Sequence, residues 1–205
     1  MNNTKIVIAL LVLCVPAFAN KAAEDFYGAV ERHLRSLPSL EIGYRATGPD
    51  FPKEGFEGRL AFQRPNGFYH DTPEWTLCEI GAEQWRYLKE QQTLMLETAE
   101  GRSDWSPEAV LLSLNRELVP FNLIATETGD TLLILDAISA QVSGQVEMTF
   151  AANKRVPKVI AFKDDEGNST SHYEILMWHE SVKIDSALFL PPEVPAENKI
   201  DFRTQ

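Results

Sequence analysis

Cysteine is nearly missing from this chain. Its 205 residues include two, Cys14 and Cys78. Cys14 falls in a short apolar run behind Lys5, and removal of that leader leaves Cys78 alone. One cysteine excludes an internal disulfide, so the fold must be held by its core. Cys78 lies in a strand-like run and reads as a core residue. Basic residues are also in deficit. Nineteen Lys and Arg face 30 Asp and Glu, for a formal charge of −11. That excludes nucleic acid as a partner, because phosphate contacts need clustered cations. It also opposes adsorption to anionic lipid, though an acidic exterior is compatible with a greasy interior. No later apolar run approaches the roughly 20 residues of a membrane span. Internal repeats and low-complexity tracts are absent.

Catalytic signatures are lacking too. There is no G-x-S-x-G, P-loop, H-E-x-x-H or C-x-x-C. His33, His70, His172 and His179 are scattered. His172 and His179, on one regular strand, would stand on opposite faces. Asp164-Asp165-Glu166 lacks the spacing of a calcium loop and reads as a solvated turn. No catalytic residue, metal ligand or cofactor is expected, and the chain reads as a non-enzyme. An exported hydrolase with an unrecognised site is the alternative.

What is present begins with a leader. Lys5, the apolar run from Ile6 to Val15, and Ala17-Phe18-Ala19 form a secretory signal with an A-x-A cleavage site. Bulky Leu13 before Cys14 argues against lipidation there. Residues 1–19 are therefore expected to be removed, leaving residues 20–205 as one exported domain. Lys21 to Leu37 reads as a helix, with Ala22, Phe26, Val30 and Leu34 in one stripe and Pro38 as its stop. The remainder is nearly all β. Leu40, Ile42 and Tyr44 alternate, as do Phe56, Gly58, Leu60 and Phe62. Further strands are expected at Phe68–His70, Trp75–Ile80, Gln84–Leu88, Thr93–Thr98, Phe121–Thr126, Thr131–Ala137, Gln145–Ala151, Val156–Lys163 and Ser169–Met177. Asp164 to Asn168 reads as a hairpin turn around Gly167. About ten or eleven short strands imply a mainly β (α+β) fold, a strongly curved antiparallel sheet forming an incomplete barrel. Ser106 as N-cap and Pro107 at N1 start a second helix. Its Val110, Leu111, Leu112 and Leu114 make it greasy on more than one side, as a lid over the sheet's mouth would be. Val182 to Pro192 reads as extended, and the tail to Gln205 as loosely packed.

One residue breaks the pattern. Continuing the alternation beyond Phe62 makes Arg64 the next inward position, at the end of an apolar face, just before Pro65 ends ladder pairing. A lone cation there either reaches solvent along its stem or needs acceptors, because an unpartnered buried charge costs several kcal/mol.

With the strand pairs, the capped helix and the leader in view, the chain resembles the LolA family of periplasmic lipoprotein carriers. Arg64-Pro65-Asn66-Gly67-Phe68 resembles its R-P-x-x-F, and Gly81 with Trp85-Arg86-Tyr87 its G-x-x-x-W-x-Y. Ser106 to Leu112 resembles its P-x-x-L-L lid helix, Asp164 to Asn168 its late D-x-x-G-x hairpin, and Phe189-Leu190-Pro191-Pro192 its closing F-x-P-P. The chain departs from the family at Tyr44-Arg45-Ala46, where Phe-Thr-Gln is usual, and at His70, where a tryptophan is common. The resemblance implies an incomplete β-barrel closed by helices over an apolar cavity. It implies a monomeric shuttle for lipoprotein acyl chains, loaded by an inner-membrane ABC transporter and unloaded to an outer-membrane receptor. It also implies that Arg64 bonds the lid in the empty form and that Phe68 serves the lining and transfer. The candidate ligand and lid-control residues are Arg64, Phe68, Leu60, Phe62, Trp85, Tyr87, Leu111 and Leu112. A divergent relative with a different lipid, or a lipid-reading sensor on the same fold, is the alternative.

Overall fold

Apolar residues recurring at helical spacing after Lys21 produce one helix, α1, over residues 21–36. Its buried stripe is Ala23, Val30, Leu34 and, just beyond the helix, Leu37. Ala23 leads that stripe, not Ala22, because 3.6 residues per turn carries the face back from Val30 to position 23. The computed structural model describes residues 21–49, 51–65, 67–99, 118–137 and 144–203. The expected leader, Asn66, and the Ser106–Leu114 segment with Leu111 and Leu112 lie outside them.

Alternation then takes over. The first six strands form a meander: β1 Ser39–Thr47, β2 Phe56–Gln63, β3 Gly67–Asp71, β4 Trp75–Ile80, β5 Glu83–Leu88 and β6 Thr93–Thr98. A second meander follows: β7 Leu118–Ala125, β8 Thr131–Ala137, β9 Gln145–Phe150, β10 Pro157–Lys163 and β11 Ser169–Glu180. With the short C-terminal β12, Lys199–Asp201, all join one curved, unclosed sheet in the order β12-β6-β5-β4-β3-β2-β1-β11-β10-β9-β8-β7. β1 and β11 therefore meet in the middle of the sheet as its central seam. Asp164 to Asn168 turns β10 into β11: Asp164 Oδ1 accepts from the Glu166 and Asn168 amides, and Gly167 takes a φ of +82°.

Three expectations are corrected. The tail does not hang loose, since β12 pairs in parallel with Leu94–Leu96 of β6. The stretch after Val182 is not uniformly extended. Ser186–Phe189 is a 3-10 turn, with Asp185 as its N-cap accepting from the Ala187 amide. His172 and His179 do not face opposite ways. A bulge opposite Gly43 and Tyr44 leaves Leu176 without a partner on β1, and both histidines pair with outward residues, Thr47 and Glu41.

Two cores lie on opposite faces of this sheet. On the concave face, α1 packs over β1–β3 and β8–β10 through Leu40, Ile42, Leu60, Phe62, Leu133, Met148, Phe150 and Ile160, among others. On the convex face, Ala61, Cys78, Trp85, Leu94 and Leu96 of β2 and β4–β6 are covered by the strap that follows β11, through Ile184 and Phe189.

Candidate functional site

Among the sequence-selected residues, Leu60, Phe62 and Phe68 stand together on the concave face, 5%, 8% and 3% exposed. Inward alternation along β2 supplies the first two. The β2–β3 register sets Phe68 directly opposite Phe62. The Pro65 turn brings the chain back after only Gln63, so the same face is kept.

Arg64 does not continue the inward alternation: β2 ends at Gln63, and Arg64 lies exposed at the rim of that face. Its amide donates to Pro38 O at 2.9 Å. Its Nε donates to Leu37 O at 3.0 Å and one Nη to Leu34 O at 3.4 Å. The guanidinium also lies over the Phe62 ring, 5.5 Å from its centroid. The dipole at a helix C-terminus favours a cation. Arg64 supplies it, adds a second donor to Leu34 O beside the Leu37 amide at 3.3 Å, and so ties the end of α1 to the rim of the apolar face. Any bond from Arg64 to the Ser106–Leu114 segment lies outside the described residues.

Trp85 and Tyr87 are not with these groups. Both point to the convex face and pack beneath the strap. Trp85 Nε1 donates to Phe189 O at 3.1 Å, and Cys78 Sγ reaches the same oxygen at 3.5 Å. Burial, with a smaller push from Glu79, drives the Cys78 thiol up to about 12. Thiolate chemistry at this cysteine is suppressed by its surroundings. On the concave side, β4–β6 present Glu79, Gln84, Arg86 and Glu97, aligned by the β4–β5–β6 register.

Sequence reasoning missed a hydrogen-bonded pair in the concave lining. Tyr44 Oη meets His70 Nε2 at 2.5 Å, with both side chains buried. Gly58 makes the room: a β-carbon there would stand 2.3 Å from the Tyr44 hydroxyl. Aromatic rings continue from the pair on both sides, through Phe56 and Tyr173 at one end and Trp75 at the other. Tyr44 and His70 are each legible as polar intruders on inward positions. Their contact is not legible, because it crosses three strands.

Among the described residues, no group of three or more His, Cys, Asp or Glu is gathered to hold a metal. No helix among them is long and apolar enough to cross a membrane.

No family model matches this chain, and no curated protein sequence does. Solved structures do. An uncharacterized conserved protein from Thermus thermophilus superposes with a TM-score of 0.59 at 12% identity, over 88% of this chain and 99% of that one. The two share a fold. Also similar are a DUF1329 family protein from Desulfovibrio piger and a LolA superfamily protein from Nitrosomonas europaea. The first has a TM-score of 0.48 at 10% identity, over 84% of this chain and 97% of that one. The second has 0.42 at 9%, over 84% and 98%.

Proposed function

We propose that this protein is a periplasmic, non-catalytic carrier that shelters lipoprotein acyl chains against its concave face and moves them from the inner to the outer membrane. The observation that carries the reading is the Arg64 latch. One guanidinium at the rim of an apolar face holds the end of the only helix among the described residues packed on that face. Five sequence motifs of a lipoprotein-carrier family, in order along the chain, point the same way.

The physics of a carrier explains why such a latch is useful. Each CH2 removed from water is worth about 0.8 kcal/mol, so a chain of about sixteen carbons offers on the order of 12 kcal/mol before ordering costs. That is enough to extract lipid and enough to trap it. An acyl chain entering beneath α1 must compete with Phe26, Val30 and Leu34 for the same surface and must strain the Arg64 bonds. The empty state is favoured by those terms, and the bound chain is held more weakly than its area implies. An inner-membrane ABC transporter as donor and an outer-membrane receptor as acceptor complete the reading.

The test is acyl transfer. Loaded with a triacylated lipoprotein, the Arg64→Leu variant should retain it longer than wild type and deliver it poorly to acceptor membranes. Release at the wild-type rate would count against the latch. Native mass spectrometry of the protein taken from the periplasm should find acylated protein bound.

One observation favours a second reading, a carrier of a different lipid. Two residues at which the chain departs from the family pattern, Tyr44 and His70, are hydrogen-bonded to each other in the lining. A polar pair in that position suits a ligand with a buried hydrogen-bonding group. Free lipid in place of lipoprotein in the same mass spectrum would select it.

A further inference from the structure

At the rim where β1 begins and β11 ends, a groove of about 850 Å³ opens to solvent. Its wall is rich in hydrogen-bond donors. Arg64 and Lys183 line it, with Gln63, Ser39, Ser181 and Ser186. Among the described residues, several cations are matched: Arg45, Arg59 and Lys163 each pair with a glutamate. Among the described residues, neither Arg64 nor Lys183 has a carboxylate partner. Arg64 spends one N–H of an Nη on Leu34 O of α1 and its Nε on Leu37 O just beyond the helix, and keeps its other donors. Asp185 is the one carboxylate of the lining, and its Oδ1 is engaged by the Ala187 amide at 3.0 Å. Ser181 holds a left-handed conformation, φ 55°, with its amide bonded to Ser39 O at 2.9 Å. A non-glycine residue kept in that region marks backbone that its surroundings over-determine.

We propose that this groove binds the phosphate group of a small organic ligand. The Arg64 guanidinium and Lys183 ammonium supply the charge, and the Ser181 and Ser186 hydroxyls and the Gln63 amide supply further donors; the Ser39 hydroxyl is already given to Val182 O at 2.6 Å. Two cations lining one groove suit a phosphate better than a carboxylate, because a phosphate group offers more acceptor oxygens over which to engage both. Two cations in the lining, on a chain of charge −11, also favour an anion in this groove. The volume exceeds that of a bare ion and falls in the range of small-molecule sites. The site shares Arg64 with the carrier reading, but nothing in it depends on the concave face taking an acyl chain, and the Lys183 variant tests it without touching the latch.

The experiment is thermal melting of the full chain with glycerol 3-phosphate and, separately, with monomeric dihexanoylphosphatidylglycerol. Sodium sulfate at matched ionic strength and glycerol serve as controls. Ligand that binds only the folded state raises Tm with concentration. At least one phosphate probe should raise Tm well beyond both controls. Lys183→Gln should weaken that response about tenfold in concentration without changing the ligand-free Tm. Lys183 is the variant of choice because Arg64 also caps α1. A response to both probes makes the phosphate sufficient, whereas a response to the phosphatidylglycerol alone makes the ligand a lipid headgroup; each supports the site. No response to either probe, an equal response to sulfate, or an undiminished response in Lys183→Gln overturns it.

Discussion

Removing the ring of Phe189 tests the second core directly. The ring is 7% exposed, and its backbone carbonyl receives both Trp85 and Cys78. Truncating a buried phenylalanine costs about 3–5 kcal/mol. Phe189→Ala keeps the carbonyl, so the loss falls on strap docking. Cys78 beneath it is the reporter. With its thiol pushed up to about 12, only about one part in ten thousand is thiolate near pH 8. An ordinary thiol is about one quarter thiolate there. Alkylation of the native protein should therefore run roughly three orders of magnitude slower than for a free cysteine, from ionisation alone. Each 1.4 kcal/mol is tenfold in an equilibrium, so a loss of about 3 kcal/mol makes strap opening about a hundredfold more frequent. The assay is mass-resolved alkylation with iodoacetamide in a Cys14→Ser background. Cys78 should be labelled about a hundredfold faster in Phe189→Ala than in wild type, well below the denaturation midpoint. Labelling of wild type at the free-thiol rate, or no acceleration in the variant, refutes the reasoning.

Other outcomes follow from single contacts. Gly58→Ala drives a methyl into the Tyr44 hydroxyl and should cost about 1–3 kcal/mol in denaturant unfolding; Tyr44→Phe, which leaves His70 without that bond, should cost about as much. Glu180 is pushed up by burial, but hydrogen bonds from His33 and Trp178 outweigh it and leave its carboxyl below the usual range. A depressed carboxyl contributes stability that is whole above its ordinary value of about 4.3 and vanishes as pH falls through the folded value. The Tm gap between wild type and Glu180→Gln should therefore be open near neutrality and close on acidification below about 4. Deleting residues 199–205 uncovers the edge of β6 and should promote concentration-dependent association in sedimentation, because a bare strand edge is a template for another chain.

The periodicity of the sequence carried most of the fold. Trp75–Ile80, Thr93–Thr98 and Thr131–Ala137 emerge with the bounds read from the sequence, because each is a clean run between turn residues. The site was legible only in part. Leu60, Phe62 and Phe68 share a face because alternation is local. Trp85 and Tyr87 alternate just as well, but local period cannot say which face the chain later covers. That depended on a strap about a hundred residues downstream whose own signal was weak. Arg64 was recognisable as an anomaly, yet its acceptors are the carbonyls of Leu34 and Leu37, set by how α1 crosses the rim. The bulge at Leu176 is a one-residue insertion, invisible to a period count, and it alone turned His179 to the side of His172.

The seam between β1 and β11 sets the order in which this protein can be assembled. Leu40 must wait for Glu180, and Thr47 for His172, while every other antiparallel pairing joins consecutive strands. The first meander can zip up as its chain emerges, but β1 then keeps a long raw flank until the second meander is finished. For a protein that leaves its site of synthesis N-terminus first, that interval is the moment of greatest exposure to rival chains, and a holding chaperone would have its grip there.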